Sequence, residues 1–275
     1  MNGHVYTNLM LTCAGNLFLR GDSIAGFWPG SDAFRFTGSC EFREQPADTG
    51  SGAEYPLVAA DPLEWFGQLK PDCRGLRLHH TARKRGASQQ LDVSDRMLAG
   101  MVGGGQRWLI EVTGERESEV WEGFERIGDR EEPNQKIWLW TFIRQGKMPT
   151  GQLDVDAAGL GLEDAVARFR QALVDIEAYA RQEGYANFAE IFREAVSELD
   201  RAPDGIPADW GDARFTGFDA RRLTIMSAAS RASVFGGMGS WNDLGGGEAY
   251  DKVSEALYSS LNDCILALAN STCAD

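Results

Sequence analysis

Histidine is scarce in this chain, and its placement limits the available chemistry. His79 and His80 are adjacent, and His4 is the third. Neighbouring residues of a strand point to opposite faces, so the pair cannot easily hold one ion. A zinc hydrolase would need a third ligand and an ordered carboxylate, and neither HExxH nor HxH occurs. The expectation is that no metal and no cofactor is bound. No GxSxG elbow and no SxxK motif is present, so the known serine-nucleophile signatures are absent. Cys73 lies between Asp72 and Arg74, with no His/Asn pattern to activate it. Glu117/Glu119 and Glu131/Glu132 are paired carboxylates in charged surroundings, which reads as solvated surface. Gly103–Trp108, with Arg96 and Arg107 nearby, could approach a phosphate, but a glycine turn leading into a strand is the commoner use. Arg83-Lys84-Arg85 is too short a basic cluster to argue for nucleic-acid binding.

The most distinctive stretch is Val234-Phe-Gly-Gly-Met-Gly-Ser-Trp-Asn-Asp-Leu244. Glycines permit positive φ and close backbone approach. Trp241 and Phe235 are large anchors, and Asn242 and Asp243 can bind amides or a ligand. The competing reading is an interhelical turn in which Trp241 plugs a bundle and Asp243 caps a helix. The spacing fits neither a dinucleotide fingerprint nor a Walker loop. With a last helix ending in Ala269-Asn270-Ser271, this segment resembles a group of uncharacterised bacterial helical domains over about residues 162–272. The resemblance implies a helical C-terminal part and carries no activity or functional residue with it.

Charge is the next constraint. Net charge is −14. Residues 1–150 carry 17 Lys/Arg against 20 Asp/Glu, and residues 151–275 carry 10 against 21, so the acidity lies mostly in the second part. Such a surface repels phosphate backbones and attracts a basic protein, beyond its ordinary use in solubility. Five cysteines without a CxxC pair argue for a reducing compartment. With no long apolar run and no signal-peptide pattern, a cytoplasmic protein is expected, with no membrane and no nucleic acid among its partners.

The elements that must position these residues fall into two kinds. Short β-prone segments occur at Asn16–Arg20, Ala33–Thr37, Cys40–Arg43, Leu76–His80, Arg107–Thr113, Val120–Ile127 and Lys136–Arg144. A short helix capped near Ser94 interrupts them. From Leu162 the period changes to about 3.6. Helices are expected from Leu162 to a stop at Gly184, through Phe188–Leu199, from an Asp219 cap to Val234, and from Glu248 to Asn270. The class is α+β: a mainly antiparallel sheet of four to six strands with one or two helices over 1–148, then a four-helix bundle-like part over 160–275. The linker is at about 146–161.

The functional expectation is a protein-binding inhibitor, an immunity-type protein that neutralises a basic toxin. Its contacts would come from Trp210, Phe215, Trp241, Asn242 and Asp243. The alternatives are an enzyme with a site between sheet and bundle that uses Asp243, Asn242, Arg96 and His80, and an adaptor whose aromatics are core.

Overall fold

The computed structural model describes residues 1–46, 54–69, 71–81, 94–101, 104–151, 153, 160–202, 210–236 and 238–273. The chain opens with a helix, α1 (Gly3–Leu19), where Asn16–Arg20 was expected to be extended. Asn2 caps it by accepting from the His4 N–H at 2.7 Å. Residues Thr7 through Leu17 are all buried, so α1 lacks the polar stripe that marks an amphipathic helix. Two of its polar side chains bond back along the helix: Thr12 donates to the Asn8 carbonyl at 2.9 Å, and the Asn8 amide to that of His4 at 2.9 Å.

A six-stranded sheet follows. It comprises β1 (Thr37–Glu44), β2 (Leu57–Ala59), β3 (Gly75–Thr81), β4 (Arg107–Thr113), β5 (Glu117–Ile127) and β6 (Trp138–Pro149). The spatial order is β2-β1-β6-β5-β4-β3. Only the β1–β6 pair is parallel, so the sheet is mixed and mainly antiparallel. Within Ala33–Thr37, expected as a strand, Asp32–Phe34 forms a 3-10 turn and the strand begins at Thr37. Two short helices, α2 (Pro62–Gly67) and α3 (Asp95–Leu98), are capped by Asp61 and Ser94. Among the described residues the N-terminal part thus holds three α-helices, where one or two were expected. Residues 82–93, with the basic cluster Arg83-Lys84-Arg85, lie outside the described residues.

Alternation gives the sheet two unlike faces. Phe42, Leu78, Ile110, Trp121 and Phe142 point to the helix side and are fully or almost fully buried. Phe42 stacks on Trp65 at 4.3 Å and on Phe142 at 5.1 Å. The opposite face carries ion pairs, His79 with Glu111 at 2.8 Å and Arg107 with Glu122.

Four long helices complete the chain: α4 (Leu162–Gln182), α5 (Ala186–Asp200), α6 (Ala220–Arg231) and α7 (Glu248–Asn270). Gly184 follows α4 with φ +80°, and Asp219 caps α6 by accepting from the Arg222 N–H. Helix α4 packs along α5 and α7, while α7 and α1 both lie against β3. One buried cluster runs from Leu9 through Phe42 and Trp108 to Phe192 and Leu268, so it joins residues from both sides of the expected linker. Strand β6 extends to Pro149, and residues 152 and 154–159 lie outside the described residues.

Candidate functional site

The residues of the glycine-rich segment serve the interior. Trp241 is fully buried among Tyr185, Phe188, Phe192 and Tyr250, with ring centroids 5.2–5.8 Å away. Its Nε1–H donates to Ser254 Oγ at 2.7 Å, and its carbonyl accepts from the Tyr250 hydroxyl. Asp243 accepts from the Gly239 N–H and so closes its own turn. Phe215 is buried edge-on to Phe27 at 5.4 Å, and Trp210 is half-buried beside Phe218. Trp241 and Phe215, expected as partner-facing anchors, are therefore core residues.

Asn242 and Arg96 do meet, as the catalytic alternative required. Arg96 Nη1 donates to Asn242 Oδ1 at 2.8 Å, and Asn242 Nδ2 returns a bond to the Arg96 carbonyl at 3.0 Å. The same guanidinium donates to Glu255 at 2.9 Å and to Asp251 at 2.9 Å. All its forks are engaged, and only 2% of the side chain is exposed. His80 is elsewhere: it pairs with Asp263 at 3.1 Å, two to three turns further along α7. Arg96 with Asn242 and His80 with Asp263 form two separate ties between sheet side and helix side, and Asp243 takes part in neither, so the four residues do not form one pocket.

A different place gathers unabsorbed chemistry. Where α1 begins, a cleft of about 420 Å³ opens between the sheet, the residues after α3 and the residues after α6. Strand β6 contributes Trp138 and Trp140, two residues apart and so on one face. Strand β5 contributes Glu125, the register partner of Trp140. Helix α1 contributes His4, whose ring lies 5.3 Å from that of Trp140. His4 Nδ1 contacts the Glu125 carboxylate. An ionised carboxylate can only accept, so Nδ1 is the donor, and in the neutral ring Nε2 keeps its lone pair.

The mouth is fixed by a second network. Asp212 is buried and accepts from the Asp32 and Ala33 N–H groups at 3.0 and 3.2 Å and from the Tyr6 hydroxyl at 2.9 Å. Burial and the Asp212 charge hold the Tyr6 pKa far above the ordinary phenol range, so Tyr6 stays a donor. Asn2 Nδ2 donates to the Ala99 carbonyl at 2.9 Å and so anchors the wall after α3. Phe36 and Met101 line the cleft and are 45% and 64% exposed. Phe235 and Gly236, the start of the glycine-rich segment, form another wall.

Among the described residues no lysine or arginine lines this cleft, whereas Asp32 and Glu125 do. A second cavity, of about 460 Å³ between α2 and β5, differs in kind. There Arg144 is already paired with Glu119 and Glu44, and Arg116, Asp72 and Glu117 share the lining. Among the described residues no three His, Cys, Asp or Glu side chains converge as metal ligands would, and no helix is long and apolar enough to cross a membrane.

Sequence reasoning missed the cleft. His4 registered only as the third histidine, and Trp138 and Trp140 only as strand. The signal available was Glu125, a carboxylate at an inward position of β5 in register with an inward tryptophan. No known family model matches this chain, and neither a curated protein nor a solved structure matches it significantly.

Proposed function

We propose that this chain is a protein-binding inhibitor of the immunity type, which holds a basic partner at the α1 cleft. The observation that carries this reading is the cleft itself: aromatic walls, two carboxylates and a rim of exposed apolar side chains. Exposed Phe36 and Met101 cost solvation unless something covers them, and Met suits an adaptable contact. Met238, just beyond Gly236, is fully exposed as well. The net charge of −14 would speed encounter with a basic partner and disfavour acidic ones. A cytoplasmic site of action follows from the same reading, because neutralisation of a toxin protects the cell that makes it.

The test is co-expression with the product of the adjacent upstream gene. The wild-type chain restores growth, and the Trp138→Leu/Glu125→Gln variant does not. A neighbour that is harmless, or one that stays toxic beside the wild-type chain, sinks the reading.

The His4–Glu125 pair favours one second reading, an enzyme in which His4 Nε2 acts as a base. His4→Gln separates the two. An inhibitor variant that still binds still neutralises; an enzyme variant binds without effect.

A further inference from the structure

All five cysteines are free thiols, and they are not alike in access. Cys13, Cys40 and Cys264 are fully buried, whereas Cys73 and Cys273 are half-buried. These two are far apart in the chain and meet in the fold at one residue, Gly75. Cys73 Sγ donates to the Gly75 carbonyl at 3.8 Å, where β3 begins. Cys273 follows the end of α7, and its Sγ fills the place that a Cβ on Gly75 would take. Its own Cβ is 3.7 Å from that point. Standard backbone dimensions then put the two sulfurs within about 10 Å of each other. The backbone on each side is held. The Arg74 N–H donates to the Thr113 carbonyl at 2.8 Å. Thr272 accepts from Asn16 Nδ2 at 2.9 Å and from Arg20 Nη1 at 2.7 Å, both at the end of α1. The Cys273 N–H returns to the Asn270 carbonyl at 3.1 Å.

We infer that Cys73 and Cys273 form a reversible thiol–disulfide site, closed by a small-molecule disulfide of the glutathione type. The Cys273 thiolate attacks one sulfur of the small disulfide and expels the other half as a thiolate. The Cys73 thiolate then attacks Cys273 Sγ and expels the second half. Two protein thiols are oxidised to one disulfide, one small disulfide is reduced to two thiols, and the two protons lost by the protein end on those thiols. A disulfide holds its Cα atoms about 5.5–6 Å apart. A change of χ1 rotamer moves a cysteine sulfur by about 3 Å, so rotation of both half-buried side chains brings the sulfurs toward bonding distance. Free thiols at rest fit a reducing compartment, where the disulfides that do form are transient and redox-sensing. Burial pushes the Cys73 thiol up to about 11, and the Asp72 and Glu119 carboxylates add to this. Its thiolate is scarce at neutral pH, so the second step is slow there and quickens as pH rises. The bridge ties the end of α7 to the start of β3. It also alters the wall of the cavity of about 460 Å³ beside α2, which Cys73 lines. None of this depends on the α1 cleft or on a partner bound there.

The experiment treats the full chain with excess oxidised glutathione, quenches it with acid, and maps the disulfides by mass spectrometry of a digest. The intact mass falls by two hydrogens, and the thiols counted in denaturant fall from five to three. One linked peptide pair joins Cys73 to Cys273, and dithiothreitol reverses the change. Cys73→Ser stops at a glutathione adduct on Cys273, and Cys273→Ser forms no bridge. Cys73→Ala and Cys273→Ala repeat the pair of tests, with circular dichroism as the check on the fold of all four variants. In the wild-type chain the adduct closes about tenfold faster for each pH unit between 7 and 9, as the thiolate fraction grows. The closed form unfolds at higher urea than the open one. Persistence of all five thiols, or of glutathione adducts that never close at pH 9, overturns the inference. So does a bridge from Cys273 to Cys13, which is buried beside Thr272, or to Cys264. A bridge between two chains, or a closed form that unfolds at lower urea than the open one, overturns it as well.

Discussion

At the scale of single residues, Arg96 shows how a candidate catalytic group becomes a fastener. It sits on a four-residue helix that could not hold its own position, and it reaches Asn242, Asp251 and Glu255 at once. Its guanidinium also lies 5.5 Å from the Tyr250 ring centre. Removal would orphan Asn242 Oδ1 and leave Asp251 and Glu255 as an unrelieved like-charge pair one turn apart on α7. Both carboxylates are about half exposed, so water recovers part of the loss. Arg96→Ala should therefore cost about 2 kcal/mol in urea unfolding, less than the cost of breaking a fully buried pair. Adding Asp251→Asn to that variant should return a part of it. A change within about 0.5 kcal/mol of wild type would place Arg96 with ordinary surface residues. The sequence joined Arg96 to Asn242 by residue type and could not say which role they share. That depended on Glu255 and Asp251 arriving from another helix.

Elements were legible in proportion to their asymmetry. Helices α4, α5 and α7 each have a wet face and a dry face, and their bounds followed from the period and from Gly184. Helix α1 was not legible, because burial on all sides erases the stripe that period-counting reads. Its Asn16, which opens the segment expected to be extended, does the work of a neighbouring strand. At the sheet edge β3, the peptide groups of Leu76 and Leu78 meet side-chain amides instead of another strand. Asn16 accepts from the Leu76 N–H at 2.7 Å and donates to its carbonyl at 2.9 Å. Asn270, from α7, repeats the arrangement with Leu78 at 2.7 and 2.9 Å. An unprotected edge invites pairing with another chain. Asn270→Ala leaves a donor and an acceptor unmet, at a cost of about 2 kcal/mol. It should also promote self-association, seen as a concentration-dependent rise in mass by size-exclusion chromatography with light scattering. A monomeric variant of unchanged stability would show that the amide pair is incidental.

At the scale of the molecule, the change in hydrophobic period near residue 160 suggests a division that the packing does not respect. Helix α1 belongs to the first stretch of chain yet touches both β3 and α7, and Arg96 and His80 bind α7 from the sheet side. The buried cluster is continuous across this seam, and the α1 cleft draws its walls from both sides of it. Loss of the helical layer would strip Leu76, Leu78 and α1 of cover, while loss of the sheet would leave the inner face of α7 bare. Each part loses cover for a share of its buried side chains without the other, so the two should unfold together. Two probes separate them. Six of the eight tryptophans, Trp28 to Trp140, lie in the first 150 residues, so fluorescence reports chiefly on the sheet side. Far-UV circular dichroism reports chiefly on α4 to α7, which hold most of the helix. In urea the two transitions should coincide in midpoint and slope, as a cooperative unit requires. Fluorescence that changes at lower urea than ellipticity would mean that the helical layer stands alone, and the cleft would then open before the bundle melts. Coincident curves would mean that any ligand of the native chain stabilises the whole of it, so such a ligand should shift both transitions equally.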